Sequence, residues 1–185
     1  MKKKIVPRPG FFPRPVLLVT TRDGRGKDNI ITISWAGVAC TTPPMISVSL
    51  RKSRHSHGAI TESKEFVVNI PTSKQIHAVE LCGTTSGRDS DKFAALGLGK
   101  VSPSVVASPL IAECPINLEC QVRHVLPLGS HDLFVAEVVK VHAQHGVLRE
   151  DGEINDTALD CLAWGSEEFL QVIKPRKPAR VPRFL

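Results

Sequence analysis

The chain has 185 residues and a mass of 20.2 kDa, is 42% hydrophobic and 23% charged, and has a mean hydropathy of −0.02. This length suits one domain with a substantial core, and the composition excludes wholesale disorder, a fibrous repeat and a membrane span of about 18 or more apolar residues. The net charge of +6 comes from the ends, because residues 1–10 and 174–185 hold nine basic and no acidic residues and leave −3 for the rest.

Both ends are rich in proline as well as basic, so residues 1–12 and 174–185 are expected to be extended arms rather than helices. No apolar stretch follows the basic N-terminus, so we expect no secretory signal and a cytoplasmic protein. Basic arms can contact phosphate backbones or acidic lipid, but no nucleic-acid-binding motif accompanies them. We therefore expect solvated ends, and keep a non-catalytic polyanion-binding module as the less favoured alternative.

Three short strands are predicted in the first third of the chain. Residues 16–21 are β-branched and apolar, residues 30–35 alternate apolar with hydroxyl side chains, and residues 45–50 alternate again. The polar segment 22–29 contains Asp-Gly, which predicts a turn between the first two strands. The proline pair at 43–44 favours extended backbone and ends whatever precedes the third strand.

The middle of the chain predicts short helices around one strand. A basic loop from Arg51 to His57 precedes a short helix, and an apolar strand follows at 65–70. A capping box from Thr72 to Gln75 predicts the start of a second helix, which is expected to end at Gly83. A third short helix is predicted at 91–96, where a glycine follows directly.

The remainder of the chain predicts mostly strands. Residues 97–115 contain three prolines and are expected to form a surface excursion with a little strand. Residues 116–125 alternate cleanly and residues 131–141 are nearly continuously apolar, so the glycine-containing segment 128–130 predicts a hairpin between them. The segment 162–173 is expected to add one or two closing strands.

Six or more strands with hairpin-scale connections and only two or three short helices predict a mainly β protein, an antiparallel β-barrel rather than a βαβ sheet. The sequence lacks the glycine-rich fingerprints of nucleotide-binding folds and the common protease and hydrolase motifs. Its five cysteines are odd in number and contain no C-x-x-C, which disfavours disulfides and zinc sites. We expect one domain with its barrel at about 13–173.

Two neighbouring segments carry side chains suited to a phosphorylated ligand. Thr32 and Ser34 lie two apart on a predicted strand, so both hydroxyls face one side. The loop at 51–57 supplies arginine, lysine, serine and histidine just before a helix, whose N-terminal N–H groups favour anions. The two histidines of this loop have no carboxylate or thiolate at a useful spacing, so no metal site is predicted.

For three aromatic side chains, the sequence is compatible with either a packing role or a functional role. His131 stands at the mouth of the predicted hairpin, where an exposed loop histidine and a functional one are equally compatible with the sequence. Trp35 suits either ring stacking or core packing, whereas for Trp164 packing in the core or an interface is the favoured interpretation.

Eight short stretches, taken in their order along the chain, form a recognisable set of motifs. They are Pro15–Thr21, Asn29–Trp35, Pro43-Pro44 with the strand after it, Ser53–Ile60, Phe66–Pro71, Asp91–Phe93, Pro109–Cys120 and Gly129–Val138. In this order the chain resembles the flavin reductase-like family, and most closely its flavoredoxin branch. The resemblance spans roughly residues 13–173 and implies an FMN-binding split β-barrel of the Greek-key antiparallel type.

The resemblance also implies where FMN binds, namely at a homodimer interface. The segment from Thr32 to Thr41 would lie along the isoalloxazine and ribityl groups, and the loop after the third strand would hold the 5′-phosphate. Lys92 and Phe93 match the family's Lys-Phe pair near the flavin, and His131 matches a histidine near the approach of nicotinamide. Implied cofactor contacts are Thr32, Ile33, Ser34, Trp35, Ala39, Cys40, Thr41, Arg51, Lys52, Ser53, His57, Lys92 and Phe93.

The implied activity is that of an NAD(P)H-dependent oxidoreductase, in which electrons pass through FMN to free flavin, ferric complexes or a protein acceptor. His131 is the candidate catalytic residue, able to orient a carboxamide or shuttle a proton. The close alternative is a flavoredoxin-type electron carrier with tightly bound FMN. Neither nucleic acid nor membrane is an expected partner.

Overall fold

The computed structural model describes residues 2–173, so the predicted arm at 174–185 lies outside the described residues. Within them the strands are β1 (Arg14–Pro15), β2 (Leu17–Arg22), β3 (Asp28–Ile33), β4 (Ala36–Thr41), β5 (Pro44–Arg51), β6 (Glu65–Ile70), β7 (Lys100–Val101), β8 (Leu110–Ile111), β9 (Ile116–Pro127), β10 (His131–Ala143), β11 (Leu162–Trp164) and β12 (Phe169–Gln171). The α-helices are α1 (His55–Ser63), α2 (Ile76–Thr84) and α3 (Lys92–Leu96).

Seven strands form one antiparallel sheet in the order β3-β2-β6-β9-β10-β5-β4. Its two edge strands, β3 and β4, are consecutive in the chain, and only Ser34 and Trp35 separate them. The sheet must therefore curl until its edges approach. The Ser49 N–H donates to the Trp35 carbonyl at 2.8 Å, which extends the β4–β5 pairing up to this two-residue crossing. The predicted antiparallel barrel is thus confirmed.

Inward-facing side chains fill the barrel. Val19, Val48, Phe66 and Phe134 are each 0% exposed and belong to one apolar cluster. A second cluster lies between the barrel and the helices, where the outward residues of β2 and β3 meet α2, α3 and β11. Because β2 is covered on both faces, residues 16–21 form a β-branched and apolar run rather than a strict alternation.

Several local predictions are confirmed. The Thr72 N–H donates to Gln75 Oε1 at 2.8 Å, and a 3₁₀ turn at Ser73–Gln75 leads into α2. Asp91 accepts a hydrogen bond from the Ala94 N–H and caps α3, which ends at Gly97 with φ of +62°. The β9–β10 hairpin turns at Gly129 with φ of +86°.

Four local predictions need correction. The segment after residue 35 contains a separate strand, β4, which was not predicted because its side chains are largely exposed and show no apolar alternation. Helix α1 begins at His55, inside the predicted loop, and α2 continues past Gly83 to Thr84. Residues 97–115 are not a surface excursion, since Val106, Leu110, Ile111 and Cys114 are buried.

Candidate functional site

A cleft of about 200 Å³ runs along the free edge of β3. Because β3 pairs with β2 on one side only, the backbone groups on its other side are not used by the sheet. Its lining residues are Ile31, Thr32, Ile33, Ser34, Trp35, Ser49, Leu50, Arg51, Arg54 and His131. The cleft therefore offers backbone donors and acceptors, hydroxyls and two guanidinium groups to one elongated ligand.

One end of the cleft opens into a second space of about 160 Å³, the cationic cavity, with which it shares Ile31 and Arg54. The N-terminus of α1 and the loop after α2 form its walls. Its polar lining residues include Ser53, Arg54, His55, Ser56, Thr85, Ser86, Arg88 and Lys92. An Arg88 Nη1 hydrogen bond to the Ser53 carbonyl, 3.2 Å long, joins the two walls.

Lys92 is the most unusual member of this cavity, because the residue is only 2% exposed. Its Nζ donates to the Ile30 carbonyl at 2.7 Å and to the Cys82 carbonyl at 3.1 Å, and no described carboxylate pairs with it. Burial lowers the pKa of Lys92, and the positive charge of Arg54 opposes its protonation further. A buried ammonium without a counter-ion is costly, so an anion in the cavity would be strongly favoured.

The rest of the cationic cavity points to the same class of ligand. Burial lowers the pKa of His55, and the positive charge of Arg88 lowers it again, which is the effect of like charges held together. Helix α1 has Arg54 as its N-cap, no side-chain cap hydrogen bond and no acidic residue in its first turn. Its first N–H groups are therefore not satisfied by a capping side chain, as at many phosphate sites.

The other end of the cleft is aromatic. The rings of Trp35 and His131 stack with centroids 4.5 Å apart and planes 17° from parallel. His131 Nδ1 lies 2.8 Å from the hydroxyl of Ser130. Burial lowers the pKa of His131 below its ordinary value, and the positive charge of Arg51 lowers it further, so both effects favour the neutral imidazole.

Two further cavities meet the cleft at Ser34. The acidic cavity, of about 830 Å³, lies between α2 and the β11–β12 hairpin, with Trp164 and Phe169 in its wall and the carboxylates of Glu80, Glu167 and Glu168 around it. The arm cavity, of about 290 Å³, shares Ser34, Trp35 and Ser49 with the cleft and is bordered by Pro9, Phe11 and Arg14 of the N-terminal segment.

The structure brings together many of the predicted site residues. Thr32, Ile33, Ser34, Trp35, Arg51 and His131 line the cleft, and Ser53 and Lys92 line the cationic cavity. The Thr32 hydroxyl also donates to the Val79 carbonyl at 2.6 Å, which fixes α2 against β3.

The remaining predicted residues lie elsewhere. Lys52 and His57 face Asp132, with His57 Nε2 2.8 Å from Asp132 Oδ2 and Lys52 Nζ 3.5 Å from Asp132 Oδ1. Phe93 is 3% exposed and belongs to the core around α3. Ala39, Cys40 and Thr41 lie on β4, at the opposite edge of the sheet order from β3, and line none of these four spaces.

Sequence reasoning missed Arg54 and Arg88 as site residues. Arg54 lies in the basic loop at 51–57, so its residue type and its position could have indicated an anion-binding role. Arg88 follows Thr85-Ser-Gly87 directly after α2, a short polar loop of the kind that admits close backbone approach. Nothing in the sequence, however, places this loop opposite residues 53–56.

The described residues contain no group of three or more histidine, cysteine, aspartate or glutamate side chains arranged to hold a metal ion. Across residues 2–173, every helix is too short or too polar to cross a membrane.

Comparison with known proteins places this geometry in a family. A family model described as "Flavin reductase like domain" matches residues 9–168. The flavoredoxin of Desulfovibrio vulgaris (Miyazaki F) is 33% identical, with 97% of each chain covered and a TM-score of 0.89. A protein with a split barrel domain from Shewanella frigidimarina NCIMB 400, 21% identical, superposes over 92% of this chain and 86% of that one with a TM-score of 0.81, which shows a shared fold.

A curated relative carries a named role. The reductase component of 4-nitrophenol 4-monooxygenase/4-nitrocatechol 2-monooxygenase from Rhodococcus opacus is 34% identical over 137 residues, which are 74% of this chain and 70% of that protein. The resemblance stated from the sequence is therefore confirmed at the level of the family and of the split barrel fold.

Proposed function

Because the chain belongs to the flavin reductase-like family, we propose that it is an FMN-binding oxidoreductase that uses NADH or NADPH. The single observation that carries this proposal is the buried, carboxylate-free ammonium of Lys92 at one end of an elongated cleft. A phosphate monoester offers the charge and the acceptor oxygens that this cationic cavity lacks. The flavoredoxin and reductase relatives support the same assignment.

The 5′-phosphate would be held by Ser53, Arg54, Arg88 and Lys92, together with the first N–H groups of α1. This set keeps two residues implied by the resemblance and adds two arginines. Lys52 and His57 would act indirectly, because their contacts with Asp132 on β10 anchor the loop that carries Arg51 and Arg54.

The ring end of the cofactor would lie toward Ser34. Thr32, Ile33, Ser34 and Trp35 would hold the ribityl and isoalloxazine groups, since the free edge of β3 supplies backbone donors and acceptors there. The chemistry that FMN supplies when bound is two-electron transfer, from a nicotinamide donor to an acceptor. Neutral His131 would orient the carboxamide of the nicotinamide, its ring fixed by Trp35 and Ser130.

We also propose a homodimer. Strand β4 is an unpaired edge of the seven-stranded sheet, and Val38 on it is 81% exposed. An exposed apolar residue on a free edge favours pairing with another chain. In such a dimer, Ala39, Cys40 and Thr41 would reach the cofactor from the partner subunit's β4 rather than from their own, which accounts for their distance from the cleft.

The FMN proposal is tested by titrating flavin-free protein with FMN and following the quenching of flavin fluorescence. Arg88→Ala removes a cation of the cationic cavity and should weaken FMN binding about tenfold, since a hydrogen bond between charged groups typically contributes about 1.5 to 3 kcal/mol. Arg123→Ala is the matched control, because Arg123 is paired with Glu137 on the exposed surface of β9 and β10. Equal dissociation constants for both variants, or a protein that takes up no FMN, would overturn the proposal.

A second candidate, the flavoredoxin-type carrier, is favoured by the 33% identity to a flavoredoxin. Steady-state oxidation of NADH or NADPH separates the two activities. Turnover that saturates with added free FMN supports the reductase, whereas reduction of bound FMN without turnover in the absence of a protein acceptor supports the carrier. A colourless protein with salt-sensitive binding to polyanions would instead support the polyanion-binding module.

A further inference from the structure

The arm cavity has a composition unlike that of its neighbours. It contains one cation, Arg14, three hydroxyl groups from Ser34, Ser47 and Ser49, and two aromatic rings, those of Phe11 and Trp35. No aspartate or glutamate is among its lining residues. The acidic cavity on the opposite flank of Ser34 has three carboxylates and no lysine, arginine or histidine in its lining.

Arg14 is half-buried, and its guanidinium includes one shielded donor without a hydrogen-bond partner. Its Nε is shielded from solvent and has no hydrogen-bond partner, and no carboxylate among residues 2–173 forms an ion pair with it. The guanidinium carbon of Arg14 lies 4.8 Å from the centre of the Phe12 ring, over its aromatic face. Buried donors are nearly always paired in folded proteins, so the absence of an acceptor indicates that a ligand supplies one.

We propose that the arm cavity binds a small aromatic carboxylate. A carboxylate matches the planar fork of a guanidinium and would offset the charge of Arg14, with the serine hydroxyls as further donors. Phe11 and Trp35 offer ring faces to an aromatic body. At about 290 Å³ the cavity is at the small end of ligand sites, which suits a single ring.

Charge separates this ligand from those of the neighbouring cavity. The three carboxylates of the acidic cavity repel an anion, so an aromatic acid that reaches Ser34 is directed to the arm cavity. Because the arm cavity shares Ser34 and Trp35 with the cleft, the bound acid would lie next to the proposed position of the flavin ring. This last step rests on the proposed function, whereas the binding itself does not.

The test is isothermal titration of the full chain, freed of flavin, with benzoate and with its uncharged analogue benzamide. We expect benzoate to bind at least about tenfold more tightly than benzamide, and Arg14→Gln to abolish that preference. Arg8→Gln is the matched control, because Arg8 is an exposed arginine of the same segment that does not line the cavity. Equal affinity for the two probes, or an unchanged preference in Arg14→Gln, would overturn the inference.

A second variant keeps the test valid if Arg14→Gln fails to fold. Phe11 is 80% exposed, so Phe11→Ala leaves the core intact and should still weaken benzoate at least about threefold. In Trp164→Phe the sole remaining tryptophan is Trp35, and benzoate should quench its fluorescence. Unchanged affinity in Phe11→Ala together with unquenched Trp35 would place benzoate elsewhere and overturn the inference. A protein that binds benzoate through Arg14 but takes up no FMN would overturn the proposed function alone.

Discussion

At the scale of single residues, Glu119 is a buried carboxylate that organises a whole segment. It is 0% exposed and accepts hydrogen bonds from the N–H groups of Ser104, Val105 and Val106, at 2.7 to 2.9 Å, and from His142 Nε2 at 2.6 Å. Burial alone would raise the pKa of Glu119, but these donors lower it to about 2. The segment 104–106 is thereby drawn onto β9, which is why residues 97–115 are partly buried.

Replacement Glu119→Gln should lower the free energy of unfolding at pH 7 by about 2 to 4 kcal/mol, because the amide removes the charge and turns a donor toward N–H groups. Urea denaturation provides the measurement. The carboxylate's folded pKa is depressed, so its contribution is complete above the ordinary pKa of 4.5 and is lost as the pH falls through about 2. The difference between wild type and variant should therefore shrink between those two pH values.

Glu137→Gln is the matched control for this experiment. Glu137 likewise has a basic partner, Arg123, at 2.8 Å, but both side chains are partly exposed, at 29% for Glu137 and 41% for Arg123. Its loss should cost no more than about 1 kcal/mol at any pH. Equal losses for Glu119→Gln and Glu137→Gln would contradict the organising role of Glu119.

At the scale of elements, the candidate site depends on how the loop after α2 packs against β3 and α1. Gly87 lies where an added Cβ would overlap the carboxamide of Asn29 and lie 2.9 Å from Cδ2 of His55. Asn29 cannot move freely, because it is 4% exposed and donates to the buried hydroxyl of Ser56 at 2.7 Å. The loop therefore needs glycine at this position to keep Arg88 beside the cationic cavity.

Gly87→Ala should destabilise the fold by about 1 to 3 kcal/mol and weaken FMN binding, because relief of the overlap displaces the loop that carries Arg88. Thermal unfolding and FMN titration measure the two effects. Gly58→Ala is the control, since Gly58 lies within α1 with no heavy atom near its Cβ position, and it should stabilise by about 0.4 to 1 kcal/mol. Unchanged FMN affinity in Gly87→Ala would show that this loop does not contribute to FMN binding.

At the scale of the whole molecule, the barrel closes through a two-residue crossing and leaves β4 as a free edge. The crossing carries Ser34 and Trp35, so the closure of the barrel and the meeting point of three cavities are the same feature. The outer edge of β4 has no partner strand within the described residues. A second copy of the chain is the partner that we propose for it.

Val38→Glu should convert the proposed dimer into a monomer of 20.2 kDa, because a charge on the paired edge would be buried without a counter-ion. Sedimentation velocity distinguishes the two species. Val101→Glu, on β7 outside the seven-stranded sheet and 45% exposed, should leave the dimer intact. A wild-type protein that sediments as a monomer at micromolar concentration would contradict this assignment.

Local patterns in the sequence were sufficient to predict most of the strands and helices. Strands at 65–70, 116–125 and 131–141 were recognisable because alternation and β-branching act over a few residues, and the caps at Thr72 and Asp91 are local hydrogen bonds. The order of the motifs was sufficient to predict the family. The resemblance implied flavin contacts at Thr32, Arg51 and Lys92, and in the structure these residues line the cleft or the cationic cavity.

Only the tertiary structure decided which cations share a cavity. Arg54 shares a cavity with Arg88 and Lys92 because the N-terminus of α1 and the loop after α2 pack together, although they are more than 30 positions apart in the chain. Lys52 and His57 instead contact Asp132 on β10. The sequence states which charges exist, but the cost of burying a charge depends on neighbours that are distant in the chain. For the same reason, the sequence does not reveal that Glu119 has hydrogen-bond donors around it or that Arg14 Nε has no acceptor, because both facts depend on how the sheet closes.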